Sequence, residues 1–595
     1  MTTRAHAMPH GAELHENGVR FRIWAPGEDQ VSIEIDGRDP VHMARQPEGW
    51  HELITIGAHP GTLYRFVVAD GLRVPDPASR FQPHDVHGPS EVIDPRAYEW
   101  QDADWRGRPW SEAVIYEIHV GTFTLAGTFL AAIGKLDHLV RLGVTAIEIM
   151  PISDFPGARN WGYDGVLPYA PDSAYGRPED LKALVDAAHA RGLSVLLDVV
   201  YNHFGPDGNY LPVYAPQFFT ERHKSPWGAG INFDGEHSRP VRDFVIQNAL
   251  YWLQEFHLDG LRLDAVHAIQ DDSATHVLVE LAETARAAIT DRPLHLILEN
   301  EDNRASLLRR DEAREPRLYS AQWNDDIHHV LHVAATAEGV AYYEAYLDQT
   351  ELLGRALAEG FAFQGETMPY SGKPRGEPST GLPPSAFVAF AQNHDQIGNR
   401  AFGQRLNALA SPEAVRAVSA VYLLSPQVPM IFMGEEFAAR APFLFFVDFQ
   451  GELAEKVRDG RREEFARFPE FSDPEKRETI PDPVAEETFL ASKLRWEEAD
   501  AATEAWFNRA LAVRREVIWP LRDTIIGNAG SYRVVAASAV EVSWEIAGGD
   551  RLLLQANLSA ATVSGFGEVS GRVFWSEGDA AEGGSFGPWA VRWSA

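Results

Sequence analysis

The 595-residue sequence predicts a multidomain α/β and β protein: a central (β/α)8 TIM barrel with a β-sandwich before it and an antiparallel β domain after it. Three observations carry that expectation. Eight short apolar runs alternate with amphipathic stretches through the middle of the chain, the rhythm of a parallel barrel, with an open doubly wound sheet as the competitor. The N-terminal part alternates apolar and polar residues in twos and breaks at Gly, Pro and Asp, as sandwich strands do. Beyond about Ile526 the same period of two returns. The length alone exceeds what one core can serve.

In chain order, "GVRFRIWAP", "QVSIEIDG", "WHELITI" and "TLYRFVVADG" are the strands of an immunoglobulin-like sandwich over residues 1–95. The proline-laden "VPDPASRFQPHDVHGPS" reads as ordered connecting chain, and residues 96–111 as the connector into the barrel. Over 112–525 the barrel strands are expected at "AVIYEIHV", "VTAIEIM", "LSVLLDVV", "LRLDAV", "LHLILE", "LYSAQW", "SAFVAFAQ" and "VPMIFM". Stretches such as "RPEDLKALVDAAHARG" and "SATHVLVELAETARAAI" supply the helices between them. Two connections are long, 201–239 after the third strand and 435–500 after the eighth, the latter expected as a polar loop region over one barrel face. "EAWFNRALAVRREV" closes the barrel, and 526–595 form the C-terminal β domain.

Composition narrows the function. With 45% apolar and 23% charged residues the chain is of the soluble globular type. A formal charge of −33 argues against nucleic acid and anionic membrane as partners, while neutral sugars remain open. There is no cysteine, so no thiolate nucleophile or thiolate metal site exists. No secretory pattern stands at "MTTRAHAMPHGAELHENG" and no run is long and apolar enough for a membrane span; a cytoplasmic protein is expected.

Polar groups collect at the C-terminal ends of the expected strands, the rim where barrels of this type place their chemistry. The third ends with Asp198, Asn202 and His203, the fourth with Arg262, Asp264 and His267, the fifth with Glu299 and then Asp302. The sixth ends "AQWNDDIHH" and the seventh carries His394 and Asp395. Arg262 two residues before Asp264 would be a weak stabiliser as a buried ion pair, but it suits a reaction that needs a carboxylate held ionised. Several carboxylates with arginine and histidine point to glycosidic bond cleavage, in which one group protonates the leaving oxygen and another faces the anomeric carbon. Carboxyl groups about 5–5.5 Å apart give retention through a covalent intermediate, and neighbouring strands lie about 4.8 Å apart.

"DVVYNH", "GLRLDAVH", "ILEN" and "QNHDQIGN" resemble, in order and place, the four signature regions of the α-amylase superfamily of glycoside hydrolases. The resemblance implies Asp264 as nucleophile, Glu299 as acid/base, Asp395 as the sugar-binding, transition-state-stabilising aspartate and Arg262 as the group keeping the nucleophile ionised. It further implies that His203 and His394 hydrogen-bond the sugar at the cleaved bond. "WAPGEDQVSIEIDG", "PDPASRFQPHDVHGPS", "NWGYDGV", "AQWNDDIHH" and "VRDGRREEF" look like the maltooligosyltrehalose trehalohydrolase subgroup, which cleaves the α-1,4 bond next to a terminal α,α-1,1-linked trehalose. That likeness implies Tyr163 stacking on the glucose before the cut. The cleft would be lined by Arg262, Leu263, Asp264, Ala265, Val266 and His267, by Asn324, Asp325, Asp326, Ile327 and His328, and by His394, Asp395, Gln396, Ile397, Gly398 and Asn399. By position only, Asp302, Trp323 and His267 are candidates for recognising trehalose. The implied partner is a maltooligosyltrehalose synthase acting beforehand, with this chain a monomer.

Simpler roles compete at each place. Asp198 is expected to support the site through hydrogen bonds. Asn202 corresponds to a calcium-ligating position in many amylases, but the third connection shows no carboxylate cluster to complete a cage, so neither metal nor cofactor is expected. The loose spacing of "WNDDIHH" argues against a metal there, and Phe443, Phe445 and Phe446 read as core. A glycogen branching or debranching enzyme is the rival within the enzymes. An inactive glucan-binding protein is the rival outside them, although neither acid nor nucleophile is missing.

Overall fold

A computed structural model describes residues 6–225, 228–569, 571–580 and 583–595. The eight apolar runs pair in sequence order as a closed parallel barrel. Its strands are β1 (Ile115–Ile118), β2 (Ala146–Ile149), β3 (Ser194–Val199), β4 (Gly260–Leu263), β5 (His295–Leu298), β6 (Ala321–Trp323), β7 (Phe387–Ala389) and β8 (Val428–Phe432). Closure comes where β8 runs beside β1, with Met430 opposite Ile115, so the sheet is not an open doubly wound one. Every residue of these eight strands is buried, as parallel strands covered on both faces must be.

The outer cover is α1 (Leu136–Leu142), α2 (Pro178–His189), α3 (Ser238–Glu255), α4 (Val277–Ala288), α5 (Asp325–Thr336), α6 (Thr350–Glu359), α7 (Pro412–Leu424) and α8 (Ala501–Val513). The last packs against both α1 and α7 and so closes the ring. The strand–helix alternation expected from the sequence fails once. After β5 there is only a 3-10 turn, Ala305–Leu308, because "RRDEAREPR" offers no apolar face to bury and stops at Pro316.

Inside the barrel, alternate residues form their own apolar cluster, including Ile115, Ala146, Leu196, Ile297, Ala321, Val388 and Met430. Two residues further along the first four strands the inward positions turn polar: Glu117, Glu148, Asp198 and Arg262, with Glu117 beside Glu148 and Asp198 beside Arg262. Gly260 lets the β4 backbone pass close to β5, since a Cβ there would stand 2.0 Å from the His295 carbonyl oxygen.

The N-terminal strands form two antiparallel sheets, one led by Gly11–His15 and Gly18–Trp24 and the other by Ser32–Ile35 and Leu63–Val67. They lean on α3, where Arg80 lies 3.1 Å from Glu255 and 3.2 Å from Glu13. At the other end, a five-stranded antiparallel sheet runs in the order Gly530–Ala536, Ala539–Glu545, Arg551–Asn557, Ala590–Ser594, Val573–Glu577. It packs on α6 and α7, with the Trp593 indole donating to the Ala420 carbonyl at 3.0 Å. The two long connections are more ordered than the sequence suggests. The first holds a hairpin, Phe219–Ser225 with Gly228–Ile231, and the second a fifteen-residue helix, Gly451–Phe465. Among the described residues no helix is long and apolar enough to cross a membrane.

Candidate active site

Side chains alternate along a strand, so Arg262 and Asp264 both turn into the barrel. The Arg262 guanidinium is 1% exposed and touches three carboxylates. One terminal nitrogen donates to Asp198 at 2.6 Å and to Asp264 at 3.0 Å, and the other donates to Glu299 at 2.7 Å. Trp323 closes the underside, with the guanidinium 4.0 Å above its ring. The Asp264 and Glu299 carboxylates therefore meet across one flat cation, on adjacent strands, in one cleft. The turn after β4 completes the arrangement: Ala265 takes a left-handed backbone (φ 41°) and donates its N–H to Glu299 at 2.9 Å. Such a conformation in a non-glycine residue is tolerated where the surroundings enforce it, and it is typical of functional sites.

Asn202, at the end of β3, donates to the Asp264 carboxylate at 2.8 Å and to its carbonyl at 2.9 Å. The Asn202 NH2 group is thus committed to the acid, while its Oδ1 faces His203. His203 caps the Tyr163 carbonyl at 3.0 Å and also touches Asn202. The Tyr163 hydroxyl donates to Asp198 at 2.7 Å, and its ring stacks on His394 at 5.2 Å between centroids. His394 in turn pairs with buried Glu117 of β1. Burial pulls the imidazole pKa down, but Glu117 outweighs it and the net shift is upward, favouring the charged ring. Asp395 opens α-helical residues His394–Gly398, reaches the cleft surface and accepts from Asn399 at 2.7 Å. Enclosure by the cleft walls raises its pKa, opposed by His394 and reinforced by Glu299.

Asp198 and Asp325 are pushed up to about 7 and about 8 respectively, burial being the main cause in both. Repulsion from Asp264 adds to the first against the pull of Arg262, and repulsion from Glu299 adds to the second.

The segments expected to line the cleft divide sharply. Asp264, Asp395, Tyr163, His203, His394 and Asn399 converge on it. Leu263, Val266 and Ile397 are core residues. Trp323 is 2% exposed beneath Arg262, so its ring is covered by a guanidinium. In the run Asn324–His328 only Asp325 is half-exposed. Asn324 caps α5 and donates to the Gly360 carbonyl at 2.7 Å, and Ile327 is core. Asp326 accepts from Asn303, Tyr346 and the Ala362 N–H at 3.0, 2.6 and 2.7 Å. His328 is held between the Ala391 carbonyl at 2.7 Å and Tyr343 at 2.8 Å. Gln396 returns its side chain to the Asn393 N–H at 3.2 Å, and a Cβ on Gly398 would stand 2.0 Å from Trp161. These residues hold the wall up from behind. His267 is half-exposed and takes the Glu301 N–H at 3.2 Å, while exposed Asp302 pairs with Arg304 at 3.1 Å.

Sequence reasoning missed Glu117 and Glu148. The available signal was a lone glutamate at an inward position of an otherwise apolar strand. Among the described residues one group has metal-ligand spacing, His223, Asp234 and Asp272, with atoms within 4.8 Å of one another. Arg222 already lies 2.6 Å from Asp272 and 3.5 Å from Asp234, so the chain itself supplies the counter-charge.

Comparison with known proteins agrees with this geometry. The alpha amylase catalytic-domain family matches residues 95–218, and a domain family of unknown function matches residues 527–593. The chain is 42% identical over 562 residues to the malto-oligosyltrehalose trehalohydrolase of Deinococcus radiodurans, covering 92% of this chain and 88% of that one. With the malto-oligosyltrehalose trehalohydrolase of Saccharolobus solfataricus it shares 41% over 510 residues, covering 86% and 87%. A crystal structure of a candidate alpha amylase from Salmonella typhimurium superposes with a TM-score of 0.94 at 48% identity over 99% of each chain. A barrel rim with two carboxylates on one guanidinium, joined to this identity over nearly the whole length, places the chain in the malto-oligosyltrehalose trehalohydrolase family of α-amylase-type glycoside hydrolases.

Proposed function

We propose that the chain hydrolyses the α-1,4-glucosidic bond next to the terminal α,α-1,1-trehalose of maltooligosyltrehalose, releasing trehalose and a maltooligosaccharide with retained configuration. The observation that carries the chemistry is the pair Asp264 and Glu299 on the two terminal nitrogens of Arg262. The names of the relatives carry the substrate. Asp264 attacks the anomeric carbon as protonated Glu299 gives its proton to the departing trehalose oxygen, and the glycosidic C–O bond breaks. Water then attacks the glucosyl–Asp264 ester, Glu299 takes the water's proton, and Asp264 leaves as the carboxylate.

Arg262 and Asn202 both donate to the Asp264 carboxylate and aim it. Asp395 holds sugar hydroxyls, with Asn399 fixing its orientation, and Tyr163 presents its ring to the glucose before the cut, braced by Asp198 and His394. Asp325 is a further polar contact for the substrate. On this reading the chain works as a cytoplasmic monomer, downstream of the synthase that makes the trehalose end, and needs no cofactor.

Chromatography of products from maltooligosyltrehalose and from plain maltooligosaccharides of equal length tests it. Free trehalose from the first, with little cleavage of the second, is expected. New branches in amylose with no trehalose released would assign the chain to glucan branching instead.

A further inference from the structure

At the foot of the barrel, opposite the catalytic rim, a cavity of about 760 Å3 opens between the N-terminal ends of β5, β6 and β7 and the segment Arg522–Gly527. Arginines line it in a chain of net charge −33. Arg286 donates to the Leu318 and Leu294 carbonyls at 2.6 and 3.2 Å and to the Ser320 hydroxyl at 3.2 Å. Arg310 donates to the carbonyls of Leu308, Tyr319 and Ser320 at 2.7, 3.2 and 2.6 Å. Arg522 is 2% exposed, and none of its three guanidinium nitrogens has a hydrogen-bond partner among the described residues.

Carbonyls orient these groups but do not neutralise them, and an unpaired buried charge is costly. Burial accordingly lowers the pKa of Arg286, and pulls Arg310 and Arg522 down to about 10. Arg314 adds a further, exposed charge, whereas Arg292 is already paired with Asp291 at 2.9 Å. On the negative side stand exposed Glu315 and Asp523, and Glu112, which also faces Arg522 but is paired with Arg108 at 2.5 Å. His295 is held near neutral, its pKa burial-lowered to about 4.

We propose that this cavity binds a phosphate-bearing small molecule, gripped by Arg310 and Arg286 and drawn in by the charge of Arg522. Inorganic phosphate would fill only part of such a volume, which is of the size that takes a drug-sized ligand. A sugar phosphate or a nucleotide fits it, with half-buried Trp110 offering a flat face beside His295. The site is independent of the glycosidase reading.

Calorimetric titration of the full chain with inorganic phosphate, glucose 6-phosphate and ATP, at ionic strength fixed with chloride, tests it. Saturable binding is expected, tighter for one ester than for phosphate; equal affinities would support the site with free phosphate as its ligand. R310Q should weaken binding about tenfold or more, R314Q should weaken it less, and E315Q, which removes a repelling carboxylate, should tighten it. R522Q should fold, melt no lower than the parent without ligand, and lose most of the ligand-induced rise in melting temperature. No saturable binding of any of the three, affinities unchanged in R310Q and E315Q, or an equal rise from chloride alone would overturn the proposal.

Discussion

Arg262 organises the site because a guanidinium offers donors in a fixed plane, and three carboxylates take them. E299Q should cut kcat by about 10²–10⁴-fold, the usual worth of a general acid. D264N should lose at least as much, and circular dichroism should show both variants folded. N202A removes a hydrogen bond to a charged acceptor, generally worth about 1.5–3 kcal/mol. It should lower kcat by about ten- to a hundredfold with little change in KM, whereas a purely structural asparagine would move the melting temperature instead. Arg262 and Asp264 were legible in sequence, because two charges spaced by two on a buried strand must share a face. Glu117 was not, because its partner His394 lies 277 residues away and only barrel closure brings the two together.

At the scale of the element, α5 shows how helix phase overrides sequence adjacency. "NDDIHH" looks like one continuous polar rim, yet a turn of 3.6 residues sends Asp325 to the cleft and its neighbours inward. Asp326 accepts three hydrogen bonds and lies 3.2 Å from Arg375, tying α5 to residues after β5 and to the chain around Ala362. D326A should therefore destabilise by about 3–5 kcal/mol, the cost of leaving a buried charge unpaired, read as a lower denaturation midpoint. D325N should fold normally and change only the kinetics. If D325N instead unfolded the chain while D326A left it intact, the assignment of the two faces would be reversed. The barrel strands were all legible because each is a short apolar run. The hairpin at Phe219–Ser225 and the helix Gly451–Phe465 were not: their faces are mostly polar, and they are held by packing over the rim more than by their own periodicity.

For the whole molecule, opposing buried groups set the response to pH. His10, His119 and His295 are held neutral by burial, at about 3, 4 and 4. The unfolded chain thus binds more protons there below pH 6.5, and stability falls as pH drops from that point. Asp198, Glu435 and Asp325 are raised to about 7, 7 and 8, mainly by burial. The folded chain binds more protons at these groups, so their contribution is present below the ordinary carboxyl values of about 4 and is lost as pH rises from there through the raised values. Between about pH 4.5 and 6.5 the two sets offset each other and above 6.5 only the acids act, so the melting temperature should fall from pH 6.5 to 8.5; a rise over that interval would contradict the shifts. On the proposed function the architecture brings two acids from neighbouring strands to opposite sides of one sugar linkage, and the product records whether it does so. Proton NMR of the first turnovers on maltooligosyltrehalose should show the new reducing end as the α-anomer, appearing together with free trehalose and before mutarotation. The β-anomer appearing first would mean that water, not Asp264, attacks the anomeric carbon, and would contradict the account at its centre.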